Sequence, residues 1–105
     1  MSEVDKLYDS LVVLEKEGNH DDALFELYEA LLDKLMYNDY SFCNLYIKKT
    51  LENPLNVDYL VHMLNPLSIV KEKLENWDDL VVRSKEFFIQ EKGEEQAKEL
   101  LSVIL

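Results

Sequence analysis

Three observations place this chain in the all-α class, as a single compact domain over residues 1–105 with about five to six helices built from antiparallel αα-hairpins. Glycine and proline are scarce, two of each in 105 residues, which argues against a turn-rich β-sandwich and for helices joined by short connections. Apolar residues recur at spacings of three and four through most of the chain, the period of a helix with one buried face. The apolar fraction of 48% in a chain of this length suits one hydrophobic core and not two.

The first helix is expected over about residues 3–17. Ser2 can cap it, and Glu3 and Asp5 lie near the positive end of its dipole. Val4, Leu7, Tyr8, Leu11 and Leu14 form its inward face, with Val12 and Val13 beside them. Gly18 can take the left-handed conformation that ends a helix, and Asn19 tolerates it. The next helix begins within three residues, so the two should form an antiparallel hairpin.

That second helix has the most regular pattern in the chain. Leu24, Leu27, Tyr28, Leu31 and Leu35 fall on one stripe, widened by Ala23, Ala30 and Leu32, which predicts neighbours on more than one side and a central position. Asn38 and Asp39 interrupt the pattern. Asp39 or Ser41 can cap a third helix through about Leu51, with Tyr40, Cys43 and Ile47 on one side and Phe42, Leu45 and Tyr46 on the next.

Asn53-Pro54 stops the third helix. A short fourth helix, capped by Asn56, carries Val57, Leu60, Val61 and Leu64 and is expected to end at Asn65-Pro66. A fifth segment with Ile69, Val70 and Leu74 either runs on or restarts around Asn76-Trp77. Leu80, Val81, Ser84, Phe87 and Phe88 define a helix ending at Gly93. A last helix turns Ala97, Leu100, Leu101 and Ile104 inward, with Glu94 and Glu95 in its first turn.

The run Gly18-Asn19-His20-Asp21-Asp22-Ala23, followed by Leu27 and Ala30, resembles the turn and second helix of a tetratricopeptide repeat over about residues 18–35. Leu11 stands where that family has a small residue at the helix crossing, and Leu35 where a proline follows the second helix. No second copy occurs at the family's ~34-residue period. The resemblance therefore implies the hairpin geometry, and not an array or its peptide groove. From Ala23 onward the order of helices, polar aromatic turn and leucine-rich tail is similar to a type of small helical protein in bacterial, phage and marine metagenomic sequence. That resemblance implies a fold and no activity.

The net charge is −11, unevenly spread. Residues 1–40 hold eleven acids against Lys6, Lys16 and Lys34, a net of −8; residues 41–105 hold eleven acids against eight bases, a net of −3. Such a surface repels phosphates and anionic lipids, so direct binding to nucleic acid or membrane is not expected, whereas a basic protein suits it. Cys43 is the only cysteine, no run nears the ~18 apolar residues of a membrane span, and Glu3 and Asp5 stand where a signal peptide would be basic. These features predict the cytoplasm.

Candidate chemical sites are few. Glu17 and His20 have the Glu-x-x-His spacing of di-iron carboxylate proteins, but Gly18 separates them and no second copy exists; an exposed turn is the simpler reading. Asp58 and His62 are one helical turn apart and could share a proton or a metal, though a metal needs further ligands and an ordinary surface pair explains the spacing. Cys43 lies on an apolar face between Phe42 and Asn44-Leu45, where a thiol is buried and inert. No catalytic, cofactor-binding or metal-binding residue is assigned.

Eleven aromatic residues are more than a core of this size requires on the inward faces alone. Phe25 lies about 100° off the stripe of its helix, beside Glu26 and Glu29, and Tyr37 and Tyr40 sit in an inter-helix corner. Phe25, Tyr37 and Tyr40 are thus expected at a contact surface, because aromatic rings carry much of the energy at protein interfaces. Leu100, Leu101 and Ile104 of the terminal helix are a second candidate, as a docking face for another subunit. The expected function is a non-enzymatic interaction protein that binds a protein partner, basic in particular, or a second copy of itself. An acidic mimic of nucleic acid that blocks a basic protein is the alternative, and a metal-dependent activity of His20 or His62 a third.

Overall fold

The computed structural model describes residues 2–104, with the backbone alone at 104. Six α-helices make up the described chain: α1 (Glu3–Lys16), α2 (His20–Met36), α3 (Tyr40–Glu52), α4 (Val57–Leu67), α5 (Trp77–Lys92) and α6 (Glu94–Ile104), with a 3-10 helix over Ser68–Lys73 between α4 and α5. The radius of gyration, 13.2 Å, is that of a compact chain of this length.

Local chemistry sets the helix ends. Ser2 Oγ accepts the Asp5 N–H, Asp39 accepts that of Phe42, and Asn56 accepts that of Asp58. The α1–α2 and α2–α3 turns are the same structure displaced by twenty residues. In the first, the Asn19 N–H bonds the Leu14 carbonyl at 2.8 Å and the Gly18 N–H bonds Glu15 at 3.1 Å. In the second, Asp39 bonds Lys34 at 2.8 Å and Asn38 bonds Leu35 at 3.1 Å. Each is a Schellman closure that needs one residue at positive φ, supplied by Gly18 at 80° and by Asn38 at 57°.

Cross-helix bonds fix the directions. Lys34 with Glu3, Ser10 with Glu26 and His20 with Glu15 run in opposite order, so α1 and α2 are antiparallel. Lys49 with Asp5 and the Tyr8 hydroxyl on the Asn53 carbonyl run in the same order, so α3 lies parallel to α1.

The centre of the molecule is α4, where the sequence pattern favours α2. Seven of the eleven residues of α4 are buried, against three of seventeen in α2. A short helix that is apolar nearly all round has to be enclosed. Helices α2, α5 and α6 and the 3-10 segment all pack on it. Asn65-Pro66 does not end α4. Pro66 gives up the rung to His62, and the Ser68 N–H then closes the turn on Leu64. The chain runs on as the 3-10 helix, breaks at Val70 (φ −116°, ψ 24°), and restarts at Trp77. Glu75 N–H on Asn44 Oδ1 (2.9 Å) ties that joint to α3.

Two inward assignments on α2 are corrected. Its buried line is Ala23, Leu27 and Leu31, with Leu24, Ala30 and Leu35 half-buried, whereas Tyr28 and Leu32 face outward. Packing against α1, α3 and α4 rotates the enclosed face away from them. Leu45 and Ile69 are likewise exposed.

Candidate functional site

Two features stand out from the packed core: a clamp at the N-terminus of α2 and the outer face of the same helix. In the clamp, the His20 ring lies between two carboxylates. Nδ1 faces Glu15 Oε1 from α1, and Nε2 faces Asp58 Oδ2 from α4 at 3.0 Å. The Tyr59 hydroxyl donates to the same Glu15 oxygen at 2.5 Å, and its ring stacks on the imidazole at 5.8 Å between centroids and 25° between planes. Both ring nitrogens meet acceptors, so the imidazolium, which donates from each, is the form that fits. The hydrogen bonds that His20 donates to Glu15 and Asp58 raise its pKa above the usual range, and those that Glu15 accepts from Tyr59 and His20 lower that of Glu15. Burial and then the Glu15 contact push the Tyr59 phenol up, keeping it a donor.

This arrangement positions helices. The two nitrogens of one imidazole point in opposite directions and cannot converge on one ion, and no three His, Cys, Asp or Glu side chains group as a metal site among the described residues. Glu17 does not face His20; its place is taken by Glu15. Nor does the Asp58 carboxylate bond His62. His62 Nδ1 donates to the Asp58 carbonyl at 2.9 Å while the carboxylate turns to His20. Cys43 is fully enclosed, and burial pushes its thiol up to about 11, far from the thiolate a nucleophile needs.

The outer face of α2 is different in kind. Phe25 is 67% exposed, Tyr28 38%, Leu32 39% and Met36 75%. At 100° per residue these four fall within about 80° of one another, a single apolar row along three turns. Beside it, Asp22, Glu26, Glu29 and Asp33 occupy a band about 60° wide and about 16 Å long. None of these four acids is within ion-pairing distance of a base among the described residues; Glu26 only accepts the Ser10 hydroxyl. Three of the four acids of α1 are engaged, Glu3 by Lys34, Asp5 by Lys49 and Glu15 by His20; Asp9 has no such partner among the described residues. Phe25 forms the ridge between two grooves. One, of about 610 Å³, has Leu14 and Ala30 in its lining with the four carboxylates around them; the other, of about 350 Å³, leads past Leu24 and Tyr28 to His62.

The expected contact residues are thus dispersed. Phe25 lies in the second turn of α2 and Tyr37 (74% exposed) at its C-cap, about 18 Å further along the axis, so they form no single cluster. Tyr40 is half-buried, its hydroxyl donating to Asn38 Oδ1 at 3.0 Å. Tyr28, Leu32 and Met36 complete the row; periodicity alone turns the first two inward, and the packing of α1, α3 and α4 leaves them exposed. Leu101 is buried within the chain's own core, Leu100 lines a groove of about 520 Å³ with Val61, His62 and Val103, and the Ile104 side chain lies outside the described residues.

Comparison of the chain with family models, with curated proteins and with solved structures finds no match. Among the described residues, no helix is long and apolar enough to cross a membrane.

Proposed function

We propose that the protein is a non-enzymatic interaction module of the cytoplasm whose working surface is the outer face of α2, and that its partner is a basic protein. The observation that carries this reading is the apolar row Phe25–Tyr28–Leu32–Met36, left exposed on a helix whose other side packs Ala23, Leu27 and Leu31 into the core. The side chains with the best-known chemical repertoire, His20 and Cys43, are committed to a clamp and to the core. Photo-crosslinking tests the surface. A photoreactive residue at Phe25 or Leu32 should trap the same basic protein in the native host, and one at exposed Val82 on α5 should not. Adducts at all three positions alike, or at Val82 alone, would overturn the reading.

A second reading rests on the row of unpaired carboxylates, which supports an acidic mimic of nucleic acid. It calls for binding that falls steeply with salt and does not depend on Leu32, whereas docking on the apolar row persists at high ionic strength.

A further inference from the structure

Resting on the reading of α2 as a protein-docking face, we infer that its occupant is a basic amphipathic helix. The spacing of the apolar row specifies the shape. Phe25, Tyr28, Leu32 and Met36 follow i, i+3, i+7, i+11, successive steps of about 4.5, 6 and 6 Å, the ridge that a second helix meshes with when its own apolar residues recur every three or four. Met36 and Leu32 are at the end nearer the C-terminus, where an unbranched thioether can adjust to the knob it meets.

The charge specifies the rest. The carboxylate band is centred about 90° to one side of the apolar row and is not matched on the other side, where Leu24, Leu31 and Leu35 turn into the core. A partner helix therefore has its lysines or arginines along one flank of its apolar stripe. Three turns of contact correspond to about 11 residues, which a helix of about 14 residues spans with a margin at each end. Long basic side chains would lay their methylenes on Phe25, Leu14 and Ala30 and bring their charged heads to Asp22, Glu26, Glu29 and Asp33. The same asymmetry disfavours a second copy of this chain. An antiparallel two-fold contact of α2 on α2 brings one uncompensated carboxylate row towards its symmetry mate, and the only lysine of α2, Lys34, is held on the far side by Glu3. The clamp of His20 ties the first turn of α2 to α1 and to α4.

Fluorescence anisotropy with two labelled 14-residue peptides of identical Leu/Lys composition tests the inference on the full chain. In one, leucines and lysines segregate as described; in the other, the order is scrambled. The segregated peptide should bind at least about tenfold tighter, and Leu32→Glu should remove at least about tenfold of that affinity. The combination Asp22→Asn, Glu29→Gln, Asp33→Asn should weaken binding and flatten its salt dependence, while Glu72→Gln should leave both unchanged. Circular dichroism confirms that each variant folds. Equal binding of the two peptides, or indifference to Leu32→Glu, overturns the helix. So does light scattering that finds a dimer abolished by Leu32→Glu, since the occupant is then a second copy. If neither peptide binds while crosslinks at Phe25 still trap a basic protein, the docking face stands and the helical occupant falls.

Discussion

His20, the first residue of α2, meets Asp58 of α4 across 38 residues of chain, Nε2 to Oδ2 at 3.0 Å, while its other nitrogen meets Glu15 of α1. One ring thus fixes the α1–α2 turn to the central helix.

The clamp makes stability depend on pH. The folded-state pKa of His20 is raised above its ordinary 6.5, so its contribution is full below about pH 6.5 and is lost as pH rises through the folded value. That of Glu15 is lowered from 4.5, so its contribution is present above that pH and is lost as pH falls through the folded value. The clamp is tightest between the two. His20→Gln should cost about 1 kcal/mol at pH 5.5, a value reduced for the partial exposure of the ring, and distinctly less at pH 8.5. Urea unfolding of both proteins at the two pH values measures it; a difference that does not change with pH would mean an uncharged ring.

The corrected face of α2 gives a paired prediction. Leu27 is fully buried and Leu32 lies on the outer face, five residues on. Leu27→Ala should cost about 2–5 kcal/mol, and Leu32→Ala less than about 0.5 kcal/mol. Chemical denaturation of the two variants decides whether the packed side is the one described.

Ser84 is buried in α5, and its hydroxyl has no hydrogen-bond partner among the described residues. Ser84→Ala removes an unsatisfied group and improves helix propensity. It should stabilise the fold by about 0.5–1.5 kcal/mol, read as a raised urea midpoint with unchanged slope.

The repeated turn predicts a backbone effect free of packing. A Cβ at Gly18 would meet nothing within 4 Å, so Gly18→Ala should lose only the cost of its positive φ, about 1–2 kcal/mol. Asn38→Ala should lose a similar amount together with the exposed hydrogen bond from Tyr40, and Asn38→Gly should lose that bond alone and so cost less than Asn38→Ala. Thermal melts of the three variants give the comparison.

What could be read from the chain is what is decided locally. Ser2, Asp39 and Asn56 cap the helices they precede because a cap needs only its own next two or three N–H groups. Gly18 takes positive φ for the same reason. Position on α2 was harder: eight residues fit a broad apolar stripe, and which of them face inward depends on where α1, α3 and α4 stand. Tyr28 and Leu32 therefore changed sides. The passage of α4 through Pro66 was hidden because the proline falls late enough for one lost rung to be borne. The partner of Asp58 was least accessible. Helical spacing offers His62, and only the folded chain brings His20 nearer.

The uneven neutralisation of the acids has a kinetic side. Where Lys34, Lys49 and His20 cancel charge on α1, nothing cancels it along Asp22, Glu26, Glu29 and Asp33. Four unpaired carboxylates in one row deepen the negative potential along that helix, and a cationic body coming within about 10 Å of it is attracted before contact. Association of such a body with the row is accelerated most where ionic strength is low.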